Sequence, residues 1–210
     1  MIKVLIADDH PVVRKGLREI VKEAFHVAVA DEVSDGQEVL ERVSKNDYDV
    51  VLLDISMPGR SGLDVLKELK GQKPKLPVLV LSIHPEEQYA VRVLKAGASG
   101  YLTKESAQDE LISALQNVST GRKYITPSLA ERLAFDLEMD TERPPHESLS
   151  DREYQVMCMI ASGKTVKEIA EELFLSVKTV STYRARVLDK MRMKSSAELT
   201  HYAIKYRLVE

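Results

Sequence analysis

The sequence predicts two domains of different fold class. The first is a doubly wound α/β domain with a five-stranded parallel sheet, and the second is an all-α domain of four helices. Three observations support this division: short apolar runs alternate with helical periodicity up to about residue 122, an acidic stretch containing a proline pair follows, and every later segment is helical. A chain of 210 residues is long enough for two domains, at roughly 100–200 residues each.

Strand and helix signals alternate through the first domain, residues 1–122. The strands are apolar at successive positions, which indicates burial on both faces of a parallel sheet covered by helices. Five such βα units predict a doubly wound fold with right-handed crossovers. The predicted strands are 3–7, 27–33, 50–53, 78–81 and 100–102. The predicted helices are 12–24, 36–45, 62–70, 86–96 and 107–120.

Residues 123–147 are predicted to form a linker. Between Phe135 and Leu149 the chain has acidic residues, the Pro144-Pro145 pair and no sustained period. Prolines stiffen the backbone and remove amide donors, which suits an extended tether. The alternative is a surface loop within one domain.

Helix starts are well marked in the second domain, residues 148–210. Ser150, Thr165 and Ser195 are each followed three residues later by Glu, which is the capping-box pattern, and Ser176 is a further N-cap candidate. The second and third helices are joined by a tight turn, which predicts a helix-turn-helix. The alternative is an ordinary helical bundle with a solvated face.

Composition excludes several classes of protein. No apolar run approaches the roughly 20 residues that cross a bilayer, and the run at 2–7 is too short for a signal peptide. The single cysteine, Cys158, excludes internal disulfides and a multi-cysteine zinc site. We therefore expect a cytoplasmic protein without membrane attachment. Residues 148–210 carry 11 Lys+Arg against 8 Asp+Glu, a balance compatible with nucleic-acid binding that does not establish it.

Polar residues follow the strands of the first domain. Asp8 and Asp9 follow the first predicted strand, Asp54 the third, Ser82 the fourth and Lys104 the fifth. In the strand order 2-1-3-4-5, strands one and three are neighbours, so their acids meet at the edge where such sheets bind ligands. Taken singly, each aspartate could instead be a helix N-cap.

Three carboxylates in one pocket repel each other, and a divalent cation such as Mg²⁺ relieves that repulsion. A carboxylate beside such a metal is suited to form an aspartyl-phosphate. Lys104 supplies a cation and Ser82 a hydroxyl donor for phosphoryl oxygens.

Residues 1–122 resemble the receiver domain of two-component response regulators, a flavodoxin-like fold. The motifs that carry the resemblance are VLIADDH at 4–10, LLDISMPG at 52–59, LS at 81–82 and GASGYLTK at 97–104. The resemblance implies that Asp54 is the phosphoacceptor, and that Asp8, Asp9, Asp54 and the backbone carbonyl of Ser56 hold Mg²⁺. It further implies that Ser82 and Lys104 contact the phosphoryl group, and that Tyr101 turns inward as a switch residue.

Residues 148–209 are similar to the four-helix DNA-binding domain of the LuxR/NarL type. The motifs are LSDRE at 149–153, KEIA at 167–170, LSVKTV at 175–180 and YAI at 202–204. The resemblance implies base-facing side chains at Ser181, Thr182 and Ala185. It implies backbone or flanking DNA contacts from Lys178, Thr179 and Arg186, and dimer contacts on the last helix from Leu199, Tyr202, Ala203 and Tyr206.

The third helix is predicted to place Val177, Val180, Val187, Leu188 and Met191 on one apolar side. Arg184 projects into the middle of that side and does not fit it. Three partners are open for it: Glu168, Glu172 or a DNA phosphate.

Together the two resemblances imply a transcription regulator controlled by phosphorylation of Asp54, and not an enzyme. Its expected partners are a sensor histidine kinase, double-stranded DNA, RNA polymerase and a second copy of the chain when phosphorylated. Two alternatives remain open. One is a regulator of the same fold that no longer uses phosphate; the other is a Mg²⁺-dependent phosphatase with Asp54 as nucleophile. That phosphatase class requires a second aspartate two residues later, where this chain has Ser56.

Overall fold

A computed structural model of the protein describes residues 2–25, 28–57, 60–138 and 144–209. The chain divides into two units, Met1–Ala130 and Glu131–Glu210, and each is described by itself. The division falls inside the stretch that the sequence predicts to be a linker.

The first unit contains a parallel five-stranded sheet in the order β2-β1-β3-β4-β5. This confirms the predicted fold class, and each predicted strand and helix is present with its ends shifted by at most two residues; the predicted start at residue 27 lies outside the described residues. The strands are β1 (Ile2–Ala7), β2 (Ala28–Val33), β3 (Val50–Asp54), β4 (Val78–Ser82) and β5 (Gly100–Thr103). The helices are α1 (Pro11–Ala24), α2 (Gly36–Lys45), α3 (Gly62–Gln72), α4 (Glu86–Lys95) and α5 (Gln108–Ser119).

The core of this unit explains why the central strands β3 and β4 carry a polar residue only at their carboxyl ends. Every residue of β3 and β4 is buried, because helices cover both faces of the sheet. On one face Val4, Ile6 and Leu52 pack with apolar residues of α1 and α5. The continuous burial of β3 extends to its last residue, so the Asp54 carboxylate is buried at the carboxyl edge of the sheet.

The predicted linker is not extended throughout. Residues 127–138 form a further helix, α6 (Pro127–Glu138), and Pro145–Ser148 form a single 3₁₀ turn. The start of α6 has the sequence signals of a helix N-terminus, since the Thr126 hydroxyl accepts from the Leu129 amide and proline occupies the first helical position. The expectation of an extended chain is therefore wrong for residues 127–138.

The segment before α6 belongs to the first unit. The Tyr124 amide donates to the Ser99 carbonyl at 2.8 Å, and Tyr124 forms a parallel bridge with Gly100 at the start of β5. The hydroxyls of Thr126 and Ser128 donate to Glu86 Oε1 at 2.6 and 2.7 Å. These bonds explain why the first unit extends past residue 122 to Ala130.

The second unit contains the four predicted helices, α7 (Asp151–Ala161), α8 (Val166–Glu172), α9 (Val177–Lys190) and α10 (Ser196–Lys205). The capping boxes at Ser150 and Thr165 are confirmed, and the Ser176 hydroxyl caps α9 by accepting from the Thr179 amide. The third box is incomplete. The Ser195 hydroxyl accepts from the Glu198 amide. The Glu198 carboxylate, however, accepts from the backbone amide of Lys194 and not from the backbone amide of Ser195.

The turn between α8 and α9 is made by a residue that sequence patterns do not mark. Phe174 adopts a left-handed conformation with φ of 54°, and the Leu175 amide donates back to the Ala170 carbonyl at 2.9 Å. Glycine or asparagine usually takes this position, because a side chain costs about 1 kcal/mol or more there. This tight closure sets α9 directly after α8 in a helix-turn-helix.

Within the described ranges, no helix combines the length and apolar character needed to span a bilayer.

Glu153 links the start of α7 to the end of α9. Its carboxylate accepts from the Ser150 amide at 2.8 Å and from the Lys190 ammonium at 2.6 Å, and its side chain is 4% exposed. Burial raises the pKa of Glu153, but the Lys190 ammonium and the Ser150 donors outweigh burial, so its pKa lies below the usual value. The ionised form therefore stabilises the fold.

We expect Glu153→Gln to lower the free energy of unfolding of the full chain by about 1–2 kcal/mol at pH 7, because the amide retains the cap but loses the charge-assisted bond. The contribution of Glu153 is present above the unfolded carboxyl pKa of about 4.3 and is lost as pH falls through its lower folded pKa. Urea unfolding at pH 7 and at pH 3, followed by circular dichroism, measures the difference. Glu171→Gln, on the exposed side of α8, is the matched control. If Glu153→Gln lowers the free energy of unfolding as much at pH 3 as at pH 7, the proposed ionic origin of the stabilisation is contradicted.

Candidate functional site

The carboxyl edge of the sheet brings the predicted acidic residues together. Ala7 and Leu53 are partners in the β1–β3 register, so Asp8 and Asp54, each one residue later, emerge side by side. Ligand atoms of Asp8, Asp9, His10 and Asp54 all lie within 4.8 Å of one another. The structure thus places in one pocket the carboxylates that the sequence predicts to meet.

Lys104 enters this pocket from the end of β5. Its Nζ lies 2.7 Å from Asp8 Oδ2 and 2.7 Å from Asp54 Oδ2, and its amide donates to the Ser82 carbonyl at 2.7 Å. Asp8 and Asp54 are each 1% exposed. Buried carboxylates are tolerated only when they are paired, so the Lys104 ammonium neutralises an otherwise repulsive pair.

Burial and pairing act in opposite directions on these groups. Burial raises the pKa of Asp54, while the Lys104 ammonium and the Ser56 amide oppose that rise, and the net pKa lies above its usual value. Burial lowers the pKa of Lys104, but the carboxylates of Asp54 and Asp8 outweigh it and leave that pKa raised. Lys104 is therefore a persistent cation beside the Asp54 carboxylate.

The acidic set fits the cation that the sequence predicts. Three carboxylates offer oxygen ligands, which Mg²⁺ prefers. His10 also lies here, with Nδ1 2.8 Å from Asp9 Oδ1 and 3.4 Å from Asp8 Oδ1. His10 is also the N-cap residue of α1, directly before Pro11, but its side chain makes no capping hydrogen bond.

The β4–α4 loop connects Ser82, the predicted phosphoryl contact, to Tyr101, the predicted switch residue. Ser82 and Tyr101 are both fully buried. The Ser82 hydroxyl accepts from the His84 amide at 3.0 Å, and the Tyr101 hydroxyl donates to the His84 carbonyl at 2.8 Å. Tyr101 is therefore turned inward in this structure, and the backbone of His84 links it to Ser82. A displacement of Ser82 would disturb both bonds.

Two residues that support the site are not marked as such by the sequence. Arg14 donates from Nη1 to the Asp8 carbonyl at 2.7 Å and pairs with Glu32 at 3.3 Å, which fixes the turn carrying the acid pair. Gly62 lies against the end of β3, which carries Asp54: a Cβ there would be 2.3 Å from Ile55 Cα and 2.7 Å from the Asp54 carbonyl. In the sequence, a glycine at a helix start is only a weak indication of a close backbone contact. Nothing in the sequence marks Arg14 as a residue that supports the site.

We expect Gly62→Ala to destabilise the protein by about 1–3 kcal/mol, because the β3–α3 loop must shift to admit a methyl group. Gly71→Ala is the matched control in the same helix, since a Cβ there meets nothing within 4 Å. The control should be neutral or stabilising, because alanine favours helix over glycine. Urea unfolding compares the two variants. Equal stability of both variants contradicts the proposed clash.

The outward side of α9 carries the predicted DNA contacts. Lys178, Ser181, Thr182, Ala185 and Arg186 are exposed, and Thr179 is half-buried. The opposite side packs inward, as expected, through Val180, Val187 and Met191. The assignment of Val177 to that packed side is wrong, since its side chain is 51% exposed. As the first residue of the helix, it lies beyond the edge of the packed side.

Arg184 bonds to neither of its predicted carboxylate partners. Its Nε donates to the Ser196 hydroxyl at 3.0 Å, and the residue is half-buried. It thus joins α9 to the first turn of α10, which explains a charged residue on the packed side of the helix.

The predicted dimer contacts of α10 divide into two pairs. Leu199 and Ala203, one turn apart, are fully buried where α10 packs against α7. The structure therefore does not support them as direct dimer contacts. Tyr202 and Tyr206 are half-buried, and their rings stack at 4.4 Å. Tyr202 also bonds through its hydroxyl to His146 Nδ1 at 2.8 Å.

Comparison with known proteins matches both units to established families. Residues 4–116 match the family model of the response regulator receiver domain, and residues 147–203 match that of the bacterial regulatory proteins of the luxR family. The response regulator UvrY of Escherichia coli K12 is 39% identical over 209 residues, covering 99% of this chain and 96% of UvrY. The response regulator GacA of Pseudomonas aeruginosa is 36% identical over 211 residues, covering 100% and 99%.

A solved structure is similar as well. It is RcsB from Salmonella enterica serovar Typhimurium bound to promoter rprA in the presence of phosphomimetic BeF3−, which is 28% identical with a TM-score of 0.60, covering 96% of this chain and 98% of that one. Family matches over both units and full-length relatives lead to one conclusion: the protein is a transcription-regulating response regulator, with a receiver domain followed by a LuxR-type DNA-binding domain.

Proposed function

We propose that a sensor histidine kinase phosphorylates Asp54, and that this phosphorylation controls dimerisation and sequence-specific DNA binding. The observation that carries the proposal is the pocket around Asp54. Its buried carboxylate has one oxygen held by the Ser56 amide at 2.7 Å and the other by Lys104 at 2.7 Å, with Asp8 and Asp9 alongside.

The chemistry of transfer follows from this placement. An Asp54 oxygen attacks the phosphorus of a phosphohistidine, the P–O bond forms, and the P–N bond breaks to leave the imidazole on the kinase. The Lys104 ammonium neutralises charge on the transferred oxygens. Asp8, Asp9, Asp54 and the Ser56 carbonyl would hold Mg²⁺. When bound, the ion neutralises phosphoryl charge and aligns the group for transfer.

The phosphoryl group would then change the balance between two conformations. The acyl phosphate carries about two negative charges where the carboxylate carried one, and it brings new acceptor oxygens that Ser82 and Lys104 contact only in that state. Shifting a population from 1:99 to 99:1 takes about 5.5 kcal/mol. Charge-assisted bonds at about 1.5–3 kcal/mol each supply that amount. Movement of Ser82 would be transmitted through His84 to Tyr101.

On the second unit we propose that α9 enters the major groove of DNA. Ser181, Thr182 and Ala185 would face the bases, with Lys178, Thr179 and Arg186 at the backbone or flanks. RcsB, which is similar over nearly the whole chain, has been solved on a promoter with a phosphoryl mimic, and this supports both parts of the proposal. The dimer surface would centre on Tyr202 and Tyr206. RNA polymerase would be the further partner, and the cytoplasm the site of action.

Selection of DNA from a random duplex library tests the proposal on the full chain, with Mg²⁺ and with or without phosphoramidate as phosphodonor. We expect two half-sites about 10 bp apart and at least tenfold tighter binding with the phosphodonor. Equal affinity in both conditions would favour a regulator that does not use phosphate. Steady turnover of a phosphate ester that Asp54→Asn abolishes would favour the phosphatase.

A further inference from the structure

The exposed side of α9 consists of two rows of side chains. Val177, Ser181 and Ala185 follow one another at intervals of four residues, which places them in one row along the helix. Lys178, Thr182 and Arg186 form the adjacent row. All six residues are exposed. Val177 begins the first row as an exposed valine, directly after the Ser176 cap.

The two hydroxyl groups on this surface have used their only donor. Ser181 Oγ donates to the Val177 carbonyl at 2.8 Å, and Thr182 Oγ1 donates to the Lys178 carbonyl at 2.9 Å. A hydroxyl has one hydrogen and two lone pairs, so each can only accept from a partner outside the helix. The middle of the surface therefore offers methyl groups and acceptor oxygens, while Lys178 and Arg186 supply charged donors.

This combination is complementary to one base pair in the major groove. Adenine presents an N6 amino donor and thymine a C5-methyl group, whereas guanine presents only acceptors and cytosine has no methyl group. An acceptor hydroxyl beside an exposed aliphatic side chain matches the A·T pair at both positions. A G·C pair satisfies the hydroxyl acceptor through cytosine but leaves the aliphatic group without a methyl partner.

We propose that α9 selects A·T pairs, and that Val177 is a specificity-determining residue that packs against a thymine C5-methyl group. The oxygens of Ser181 and Thr182 accept from adenine N6 in the same half-site. This assignment rests on the proposed entry of α9 into the major groove. It adds Val177, for which helical periodicity predicts a packed position, to the contacts expected from the sequence.

Replacement of single thymines by deoxyuridine tests the proposal, because it removes only the C5-methyl group. The probe is the duplex obtained by selection with the phosphodonor-treated full chain, and the readout is its dissociation constant. At one thymine of each half-site we expect the wild-type affinity to fall about fourfold, the ratio expected for one buried methyl-sized group. Val177→Ala should bind the parent duplex at least about fourfold more weakly than the wild type. Deoxyuridine in place of that thymine should not weaken the binding of Val177→Ala any further.

Val29→Ala is the matched control, since Val29 is also an exposed valine but lies on β2 of the first unit. It should keep the wild-type response to deoxyuridine. Val177→Thr, which retains the shape and one methyl group, should give an intermediate affinity. Circular dichroism checks that α9 still forms, and the Ser176 cap is unchanged in both variants.

The outcomes separate the two proposals. If no duplex is enriched by the full chain, the proposed DNA-binding function fails. The thymine contact is overturned, while the DNA-binding function stands, if a duplex is enriched but deoxyuridine at no thymine changes the affinity. The same holds if deoxyuridine weakens the binding of Val177→Ala as much as it weakens the binding of the wild type.

Discussion

We expect Asp54→Asn to abolish phosphorylation of the full chain by phosphoramidate in the presence of Mg²⁺. The amide has nearly the same shape as the carboxylate but has no anionic oxygen to attack phosphorus. The fold should persist, because Asp8 still pairs with Lys104 at 2.7 Å. Intact-mass measurement of the protein, before and after treatment, reports the added phosphoryl group.

Asp64→Asn is the control for this prediction, because it removes an exposed carboxylate from α3 without touching the pocket. It should accept the phosphoryl group as the unchanged chain does. Mass addition that persists in Asp54→Asn would refute the assignment of the phosphoacceptor. Loss of phosphorylation in both variants would point instead to a general effect of charge.

Lys104→Met should lower the free energy of unfolding by about 3 kcal/mol or more in the presence of EDTA. The change leaves Asp8 and Asp54, each 1% exposed, without their shared cation, and breaking a buried ion pair on one side costs about 3–5 kcal/mol. Urea unfolding of the full chain measures the loss. Mg²⁺ should restore much of it, because a divalent cation replaces the missing positive charge.

Lys45→Met, at the exposed end of α2, provides the comparison. It should change stability by less than about 0.5 kcal/mol and should not alter the response to Mg²⁺. The proposed role of Lys104 is contradicted if its variant is as stable as the unchanged chain in EDTA. It is also contradicted if Mg²⁺ stabilises the variant no more than it stabilises the unchanged chain.

The order of elements and most helix starts could be read from local patterns. The capping boxes at Ser150 and Thr165 involve residues three positions apart, and the buried strands are recognisable as continuous apolar runs. The helix at 127–138 was missed even though Thr126 and Pro127 mark its start. The acidic residues and the proline pair that follow it are typical of a tether instead.

The candidate site was predictable as a set of residue types at strand ends. Parallel strands in the order 2-1-3-4-5 necessarily bring the residues after β1 and β3 together. The supporting contacts were not predictable in the same way. Glycine is required at position 62 because a Cβ there would lie 2.3 Å from Ile55 Cα, and this proximity depends on how the β3–α3 loop folds back.

By itself, the sequence determined the two fold classes, the strand-end location of the acids and the helix that carries the predicted DNA contacts. These features follow from hydrogen bonding and periodicity among residues close together in the chain. The tertiary structure alone decided that Lys104 bridges two aspartates, that Arg184 bonds to Ser196, and that Leu199 is buried while Val177 is exposed. Such contacts depend on how one element packs against another, and a local pattern does not specify that packing.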